Sequence, residues 1–390
     1  MSRFLLLTHI YPPAVDGGSK IISKIGKYLE KDGHETLVVT SNCSLTDDFV
    51  STRQSRILTK EDSQNIIRIP VITFLHRPFK LLGRIFPLFK TLSKGPIFKY
   101  LPLLKIILYK PDYIIAGPLP TTIVFYARII QILTKSKLII CPCFHPSDPD
   151  FRTPAISSIL NKSNYLWCLS HYEKKYLFTK LQITKPQYFV YGLGVDSNFI
   201  IDPKKIKYPK KPHLIFIANF AAHKRAELLI QAFELILKKH PETRLSLLGQ
   251  KTLYFPKLIQ FINKAPKNVQ KKIKIIIKPS KKQIISHLDN SSFLILPSIQ
   301  ESFGLVFIES LARGKAVIGA STPQTRETIN KLKGGLLFKT DCVDDLSKKI
   351  CQLIESPKLS QKLALDGYQN VKKFYTWNRI GKELCKKLFT

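Results

Sequence analysis

A chain of 390 residues exceeds what one hydrophobic core usually organises, so two domains are expected. A hydrophobic content of 44% and a charged content of 23% exclude a disordered chain, and no apolar run reaches the roughly 18–20 residues that a membrane-spanning helix needs. The net charge of +35 leaves nucleic acid, anionic lipid and anionic small molecules as partner classes.

In chain order, the apolar run Phe4-Leu5-Leu6-Leu7 is too short for a signal peptide and is closed by Tyr11-Pro12-Pro13, so it reads as a first buried strand. Strands are expected at residues 4–8, 36–40, 113–116, 137–140 and 188–191, and helices between them, the first at 18–31. The loop from His9 to Asp16 leads into Gly17-Gly18 and that helix. Glycines there let the backbone approach a ligand, and a helix start presents N–H groups to phosphate. The spacing is not that of a dinucleotide fingerprint. No acidic residue occurs at 63–111, where Arg77, Lys80, Arg84, Lys90 and Lys94 are interleaved with bulky apolar residues. A second acid-free stretch, 243–288, carries a lysine-rich run. After the strand at 137–140 comes Phe144-His145-Pro146-Ser147-Asp148. The seven cysteines form no disulfide framework, and Cys141-Pro142-Cys143 has the wrong spacing for zinc, which favours a reducing cytosol.

A polar stretch rich in Pro and Lys at 196–212 marks the domain boundary, giving domains at 1–195 and 196–375, with a last helix at 376–390 returning to the first. Second-domain strands are expected at 214–218, 244–248, 273–277, 293–296 and 316–318, with a long helix at 227–239. The alternation predicts an α/β protein of two doubly wound parallel sheets, with a ligand between them. Lys224 follows the strand at 214–218, where an ammonium can neutralise a phosphate. Glu301 and Glu309 bracket Ser302, Phe303, Gly304 and Leu305 after the strand at 293–296. Two such glutamates on their own would be ordinary surface acids, and Lys224 on its own a solvated lysine.

Together these segments resemble the retaining GT-B glycosyltransferases of family 4, the glycosyl transferases group 1. The block from Glu301 to Glu309, the prolines and glycines of Pro12 through Gly18, the basic segment Ala218 through Arg225, Gly194-Val195-Asp196 and the tail around Trp377 carry the likeness across nearly the whole chain. The resemblance implies two Rossmann-like domains facing across a cleft, with a UDP- or GDP-sugar donor on the second and the acceptor on the first. It implies that Glu309 holds the ribose, and that Glu301 with the backbone from Ser302 to Leu305 contacts sugar and phosphates. Lys224 and the amides of Gly17 and Gly18 would stabilise the leaving diphosphate, and His145 would hydrogen-bond the sugar. Catalytic roles are thus implied for His145, Glu301 and Lys224, with no cofactor and no metal.

Departures from the family pattern are Asn219, where many members have Arg, and Arg225, where they have Gly; two outcomes stay open, compensation by Arg225 or His223, or a reduced affinity for phosphate. A non-catalytic scaffold and a basic nucleic-acid-binding protein are the alternatives, but charge alone does not call for Glu301 and Glu309, and no specific nucleic-acid partner is expected. Residues 77–110 read as basic-apolar helices lying on an anionic membrane surface. The expectation is therefore a cytoplasmic enzyme, peripheral on the inner face of a membrane, acting on a lipid-linked or cell-envelope glycan acceptor.

Overall fold

The computed structural model describes residues 1–13, 17–44, 46–49, 65–145 and 149–389, with residues 46, 47 and 87 described by their backbone alone. Asp16 of the first glycine loop, and Pro146, Ser147 and Asp148 after His145, lie outside the described residues. The chain divides into two compact units, Met1–Gly192 with Gly381–Thr390, and Leu193–Ile380.

The first unit runs β1 (Arg3–Leu7), α1 (Gly17–Lys31), β2 (Glu35–Ser41), β3 (Ile66–Ile69), α2 (His76–Leu82), α3 (Pro87–Leu92), α4 (Leu103–Tyr109), β4 (Tyr113–Ala116), α5 (Ile123–Thr134), β5 (Lys137–Ile140), α6 (Pro154–Lys162), β6 (Tyr165–Cys168), α7 (His171–Lys180) and β7 (Gln187–Val190). Its seven strands form one parallel sheet in the order β3-β2-β1-β4-β5-β6-β7. Parallel strands covered on both faces need continuous apolar sequence, which is why Phe4 to Leu7, Ile114 to Ala116 and Leu138 to Ile140 are wholly buried. Helix α1 turns Ile21, Ile22, Ile25 and Leu29 inward at helical spacing.

The second unit runs β8 (His213–Ile217), α8 (Ala226–Lys239), β9 (Arg244–Gly249), α9 (Phe255–Lys264), α10 (Lys267–Gln270), β10 (Ile273–Ile277), α11 (Lys281–Asp289), β11 (Phe293–Leu296), α12 (Leu305–Ala312), β12 (Ala316–Ala320), α13 (Pro323–Leu332), β13 (Gly335–Phe338), α14 (Val343–Glu355) and α15 (Pro357–Phe374). Its parallel sheet has the order β10-β9-β8-β11-β12-β13. Helix α16 (Trp377–Phe389) begins in this unit and ends in the first. There the Tyr113 hydroxyl donates to the Leu388 carbonyl at 3.0 Å, and the Phe389 ring meets Phe4, Tyr113 and His34.

The expected strands are present within a residue or two at each end. Three others carried no clear signal in the sequence. β3 contains Arg68 and lies at a sheet edge, β13 opens on glycine at another edge, and β6 is four residues long.

The basic-apolar stretch folds as α2, α3 and α4, and it is less simply basic than the sequence implies. Lys90 and Lys94 both pair with the carboxylate of Asp150, at 2.9 and 2.6 Å, and Thr91 meets Thr153 through their hydroxyls at 3.0 Å. Two lysines expected to face an anionic surface thus tie α3 to the segment that follows His145. Burial would raise the Asp150 pKa, but the hydrogen bonds and charges of Lys94 and Lys90 outweigh it and hold the carboxyl below its ordinary value. Because the folded-state value is depressed, the stabilisation is present above the ordinary carboxylate range and is lost as pH falls through the folded value. Asp150→Asn should cost about 1 kcal/mol of unfolding free energy at pH 7, the lysines being half-exposed, and less at pH 3. Denaturant unfolding at the two pH values checks this, and an equal loss at both would refute it.

Candidate functional site

In the second sheet, β8 and β11 are neighbours, while the chain leaves β8 toward β9 on one side and β11 toward β12 on the other. The carboxyl ends of such a pair leave a crevice, the usual binding place of open α/β sheets. Two loops border it. The first leaves β8 through Asn219 and Phe220, makes one tight turn at Ala222–Lys224 and enters α8 at Arg225. The second leaves β11 through Pro297 and Ser298 and enters α12 at Gly304.

The loops are joined by backbone. The His223 carbonyl accepts the Ile299 N–H at 3.0 Å and the Ser298 hydroxyl at 3.3 Å. This brings the Lys224 ammonium 2.6 Å from the Glu301 carboxylate, with both side chains largely buried. A charge-assisted pair at that distance fixes two long side chains that would otherwise be free. Beyond it, the Phe303 side chain is buried, its carbonyl accepts from the Thr328 hydroxyl at 3.1 Å, and its ring lies 5.3 Å from that of Tyr375.

Gly304 has φ 83°, in the left-handed region, and a β-carbon there would stand 2.5 Å from the Phe307 ring. Glycine is therefore required twice over, by dihedral and by space. The N-cap of α12 is Gly304, which has no side chain to cap the helix start. Glu309, one turn further on, is buried in α12.

Arg225 also sits in the left-handed region, at φ 54°, which gives a physical reason for a glycine at that position in the family pattern. Its guanidinium is committed to Asp341 at 3.0 Å and more distantly to Glu227 at 3.7 Å. Of the two outcomes left open for phosphate, compensation by Arg225 would require this side chain to leave Asp341. The sequence assigned it by charge, whereas the acids that hold it lie 2 and 116 residues away.

In the first sheet the corresponding reversal lies between β1 and β4. Gly18 abuts Pro118 in the loop after β4, where a β-carbon would come within 2.4 Å of the proline ring, whereas one added to Gly17 would meet open space. His145 follows β5 and is half-buried, its ring 5.6 Å from Phe151 in an edge-to-face arrangement.

Glu173 was not anticipated from the sequence. It is 2% exposed, and its carboxylate accepts the Phe144 N–H at 3.0 Å and the Leu169 N–H at 2.6 Å, so it fastens the segment bearing His145 to the end of β6. The available signal was Ser170, three residues earlier, which caps α7 by accepting the Glu173 N–H.

Two groups of metal-type ligands lie among the described residues, Asp32 with His34 and Cys385, and His240 with Cys351 and Glu355. In the first, His34 Nδ1 accepts the Ser2 N–H at 3.2 Å, which places the ring proton on Nε2, the atom turned toward Asp32 at 3.7 Å. In the second, His240 Nε2 contacts Glu355 at 3.1 Å. One Asp-x-Asp occurs, Asp148-Pro149-Asp150, contrary to the expectation that the chain has none to hold a divalent ion; its second carboxylate is the one held by Lys90 and Lys94.

Residues 198–370 match the family model of glycosyl transferases group 1. The match covers most of the second unit and none of the first. An uncharacterized glycosyltransferase of Methanocaldococcus jannaschii is 28% identical over 217 residues, 56% of this chain and 57% of its own length. The N,N'-diacetylbacillosaminyl-diphospho-undecaprenol alpha-1,3-N-acetylgalactosaminyltransferase of Campylobacter jejuni is 34% identical over 91 residues, 23% of this chain and 24% of its own. The matched stretches thus span little more than half of the first relative and a quarter of the second. Among solved structures, Anabaena HepE in complex with UDP-glucose superposes with a TM-score of 0.74 at 15% identity, over 100% of this chain and 99% of that one. The fold is GT-B.

Gly304→Ala should destabilise the second unit by about 1–3 kcal/mol, through the left-handed dihedral and the contact with Phe307. Thermal unfolding with and without nucleotide measures it; a variant as stable as the wild type would show that the turn tolerates a β-carbon.

Proposed function

We propose that this chain transfers a glycosyl group from a nucleoside diphosphate sugar to a lipid-linked or cell-envelope glycan acceptor, with retention at the anomeric carbon. The observation that carries the reading is the Lys224–Glu301 pair at the switch point of the second sheet, followed by an uncapped helix start and buried Glu309. The family match of the second unit and the fold of the whole chain support it.

In this reading Glu309 accepts hydrogen bonds from the ribose hydroxyls, and the backbone from Ser302 to Leu305 meets sugar and phosphates. The diphosphate competes with Glu301 for the Lys224 ammonium, so binding frees the Glu301 carboxylate for sugar hydroxyls. The bond from the anomeric carbon to the diphosphate oxygen breaks, with its electron pair leaving on the diphosphate. The acceptor oxygen forms the new bond on the same face, and its proton passes to the diphosphate. Lys224 supplies fixed positive charge where negative charge develops, a role that needs no metal, and the reading assigns no cofactor. On the first unit, His145 is assigned a hydrogen bond to a sugar hydroxyl, and the amides of Gly17 and Gly18 are offered to an anionic group. UDP-sugars head the donor candidates because HepE was solved with UDP-glucose, and the acceptor class follows the undecaprenol-linked acceptor in the Campylobacter enzyme's name.

A thermal-shift and hydrolysis panel with UDP-glucose, UDP-galactose, UDP-N-acetylglucosamine and GDP-mannose should find one stabilising donor. Glu309→Ala should abolish the shift, and Lys224→Ala should lower turnover about 10²–10³-fold. If no donor stabilises the wild type, the transferase reading fails.

The same reading places the enzyme on the inner face of a membrane. Among the described residues no helix is long and apolar enough to cross one, but α2 and α3 leave Leu81, Leu82, Ile85, Phe86 and Leu88 exposed beside Arg77, Lys80 and Arg84. Vesicles containing phosphatidylglycerol should sediment the protein in a salt-sensitive manner, and Leu81→Asn with Ile85→Asn should weaken that binding. Salt-independent binding, or none, would sink the membrane assignment.

A further inference from the structure

Between Asp62 and Asp148 the chain has a single acidic residue, Asp112. The same stretch holds 13 of the 19 large apolar side chains exposed among the described residues. Seven precede α4 and include the α2–α3 group already considered. The other six, Leu104, Ile107, Leu108, Ile129, Ile132 and Leu133, lie on α4 and α5, two helices packed on one another. Leu104 is 73% exposed, Leu108 68% and Ile132 60%.

Both helices end on a lysine in the left-handed region, Lys110 at φ 49° and Lys135 at φ 59°. A cation at a helix C-terminus suits the helix dipole, which accounts for a lysine at either cap. It does not account for where they converge. The turns at Lys110 and Lys135 feed β4 and β5, and at that end of the first sheet Lys110, Lys135, Lys137 and Arg3 line one cavity of about 760 Å³. Ile107 and Leu133 form part of the same wall, so the cavity opens beside the exposed apolar residues of α4 and α5. Its one carboxylate, Asp112, accepts the backbone N–H of Arg3 at 2.8 Å. The Arg3 guanidinium is steadied by the Tyr109 carbonyl at 2.9 Å, and Lys137 lies over the Tyr113 ring at 5.8 Å. Four cations face one anion, and the rim is greasy.

We propose that this cavity binds the anionic headgroup of a bilayer phospholipid, with the exposed side chains of α4 and α5 entering the interfacial zone around it. Phosphate chemistry alone would fit a nucleic acid equally well, but a nucleic acid gains nothing from six exposed aliphatic side chains, whereas an interface does. The proposal adds a second, separate contact to the peripheral-membrane reading, on which it rests for the presence of a bilayer.

The test uses the full chain and vesicles of phosphatidylcholine with and without phosphatidylglycerol, at fixed physiological salt. Lys110→Gln/Lys135→Gln/Lys137→Gln should lower the partition coefficient for the anionic vesicles about tenfold or more, each lysine near such a surface being worth close to a factor of five. Lys238→Gln/Lys239→Gln/Lys348→Gln removes the same charge from exposed positions on α8 and α14, and should change binding by about twofold at most. A second variant, Leu104→Ser/Leu108→Ser, should lose binding with the cavity lysines intact, and matching unfolding curves establish that each variant is folded. The proposal is overturned if the cavity triple binds as the wild type does, if the control triple loses as much, or if single-stranded RNA binds the wild type as tightly as the vesicles do. Loss of binding only in the α2–α3 variant would keep the membrane reading and discard the cavity; a wild type that ignores anionic vesicles discards both.

Discussion

One carbonyl oxygen organises the candidate donor site. His223 accepts from Ile299 and from Ser298, and so closes the crevice floor between the loops after β8 and β11. Without that bridge, Lys224 and Glu301 would be two long side chains on separate loops, and side-chain entropy would keep them apart. With it they meet at 2.6 Å, in a largely buried position where a charge is worth more than at the surface. The parallel sheet makes this possible, because only at a reversal of strand order do two neighbouring loops diverge and leave room for a ligand.

The charge of the chain divides into classes that composition does not distinguish. Lys224 pairs with Glu301, Arg225 with Asp341, Arg313 with Asp289, Lys281 with Asp196, and Lys90 and Lys94 share Asp150. These cations hold loops and helix ends in place. Others gather with exposed aliphatic residues on α2 to α5, where the acids that would neutralise them are missing from the sequence. A large apolar surface beside uncompensated positive charge is costly in water and fits an anionic interface.

Most of the fold was legible because buried parallel strands demand uninterrupted apolar runs, and runs such as Phe293 to Leu296 have no other use in a polar chain. Of the strands that escaped, β3 and β13 stand at edges, where an arginine or a glycine is tolerated and the pattern fades, while β6 is inside the sheet and no shorter than β4 or β5. Within the site, Glu301, Gly304 and Glu309 could be picked out because they fall within nine residues of one another, shortly after one strand end. Glu173 could not, since its partners Phe144 and Leu169 are backbone groups, and a backbone N–H leaves no mark on composition.

The sequence by itself determined the alternation of strands and helices, the second unit's likeness to the group 1 family model and the cluster of Glu301, Gly304 and Glu309 after one strand. These follow from local patterning, which the chain carries residue by residue. The tertiary structure alone decided which charges are spent on one another. That Arg225 turns to Asp341, that Asp150 gathers Lys90 of α3 and Lys94 just beyond it, and that Lys110, Lys135, Lys137 and Arg3 share one cavity depend on contacts between segments far apart in the chain. An ion pair is set by distance in space, and distance in sequence does not encode it.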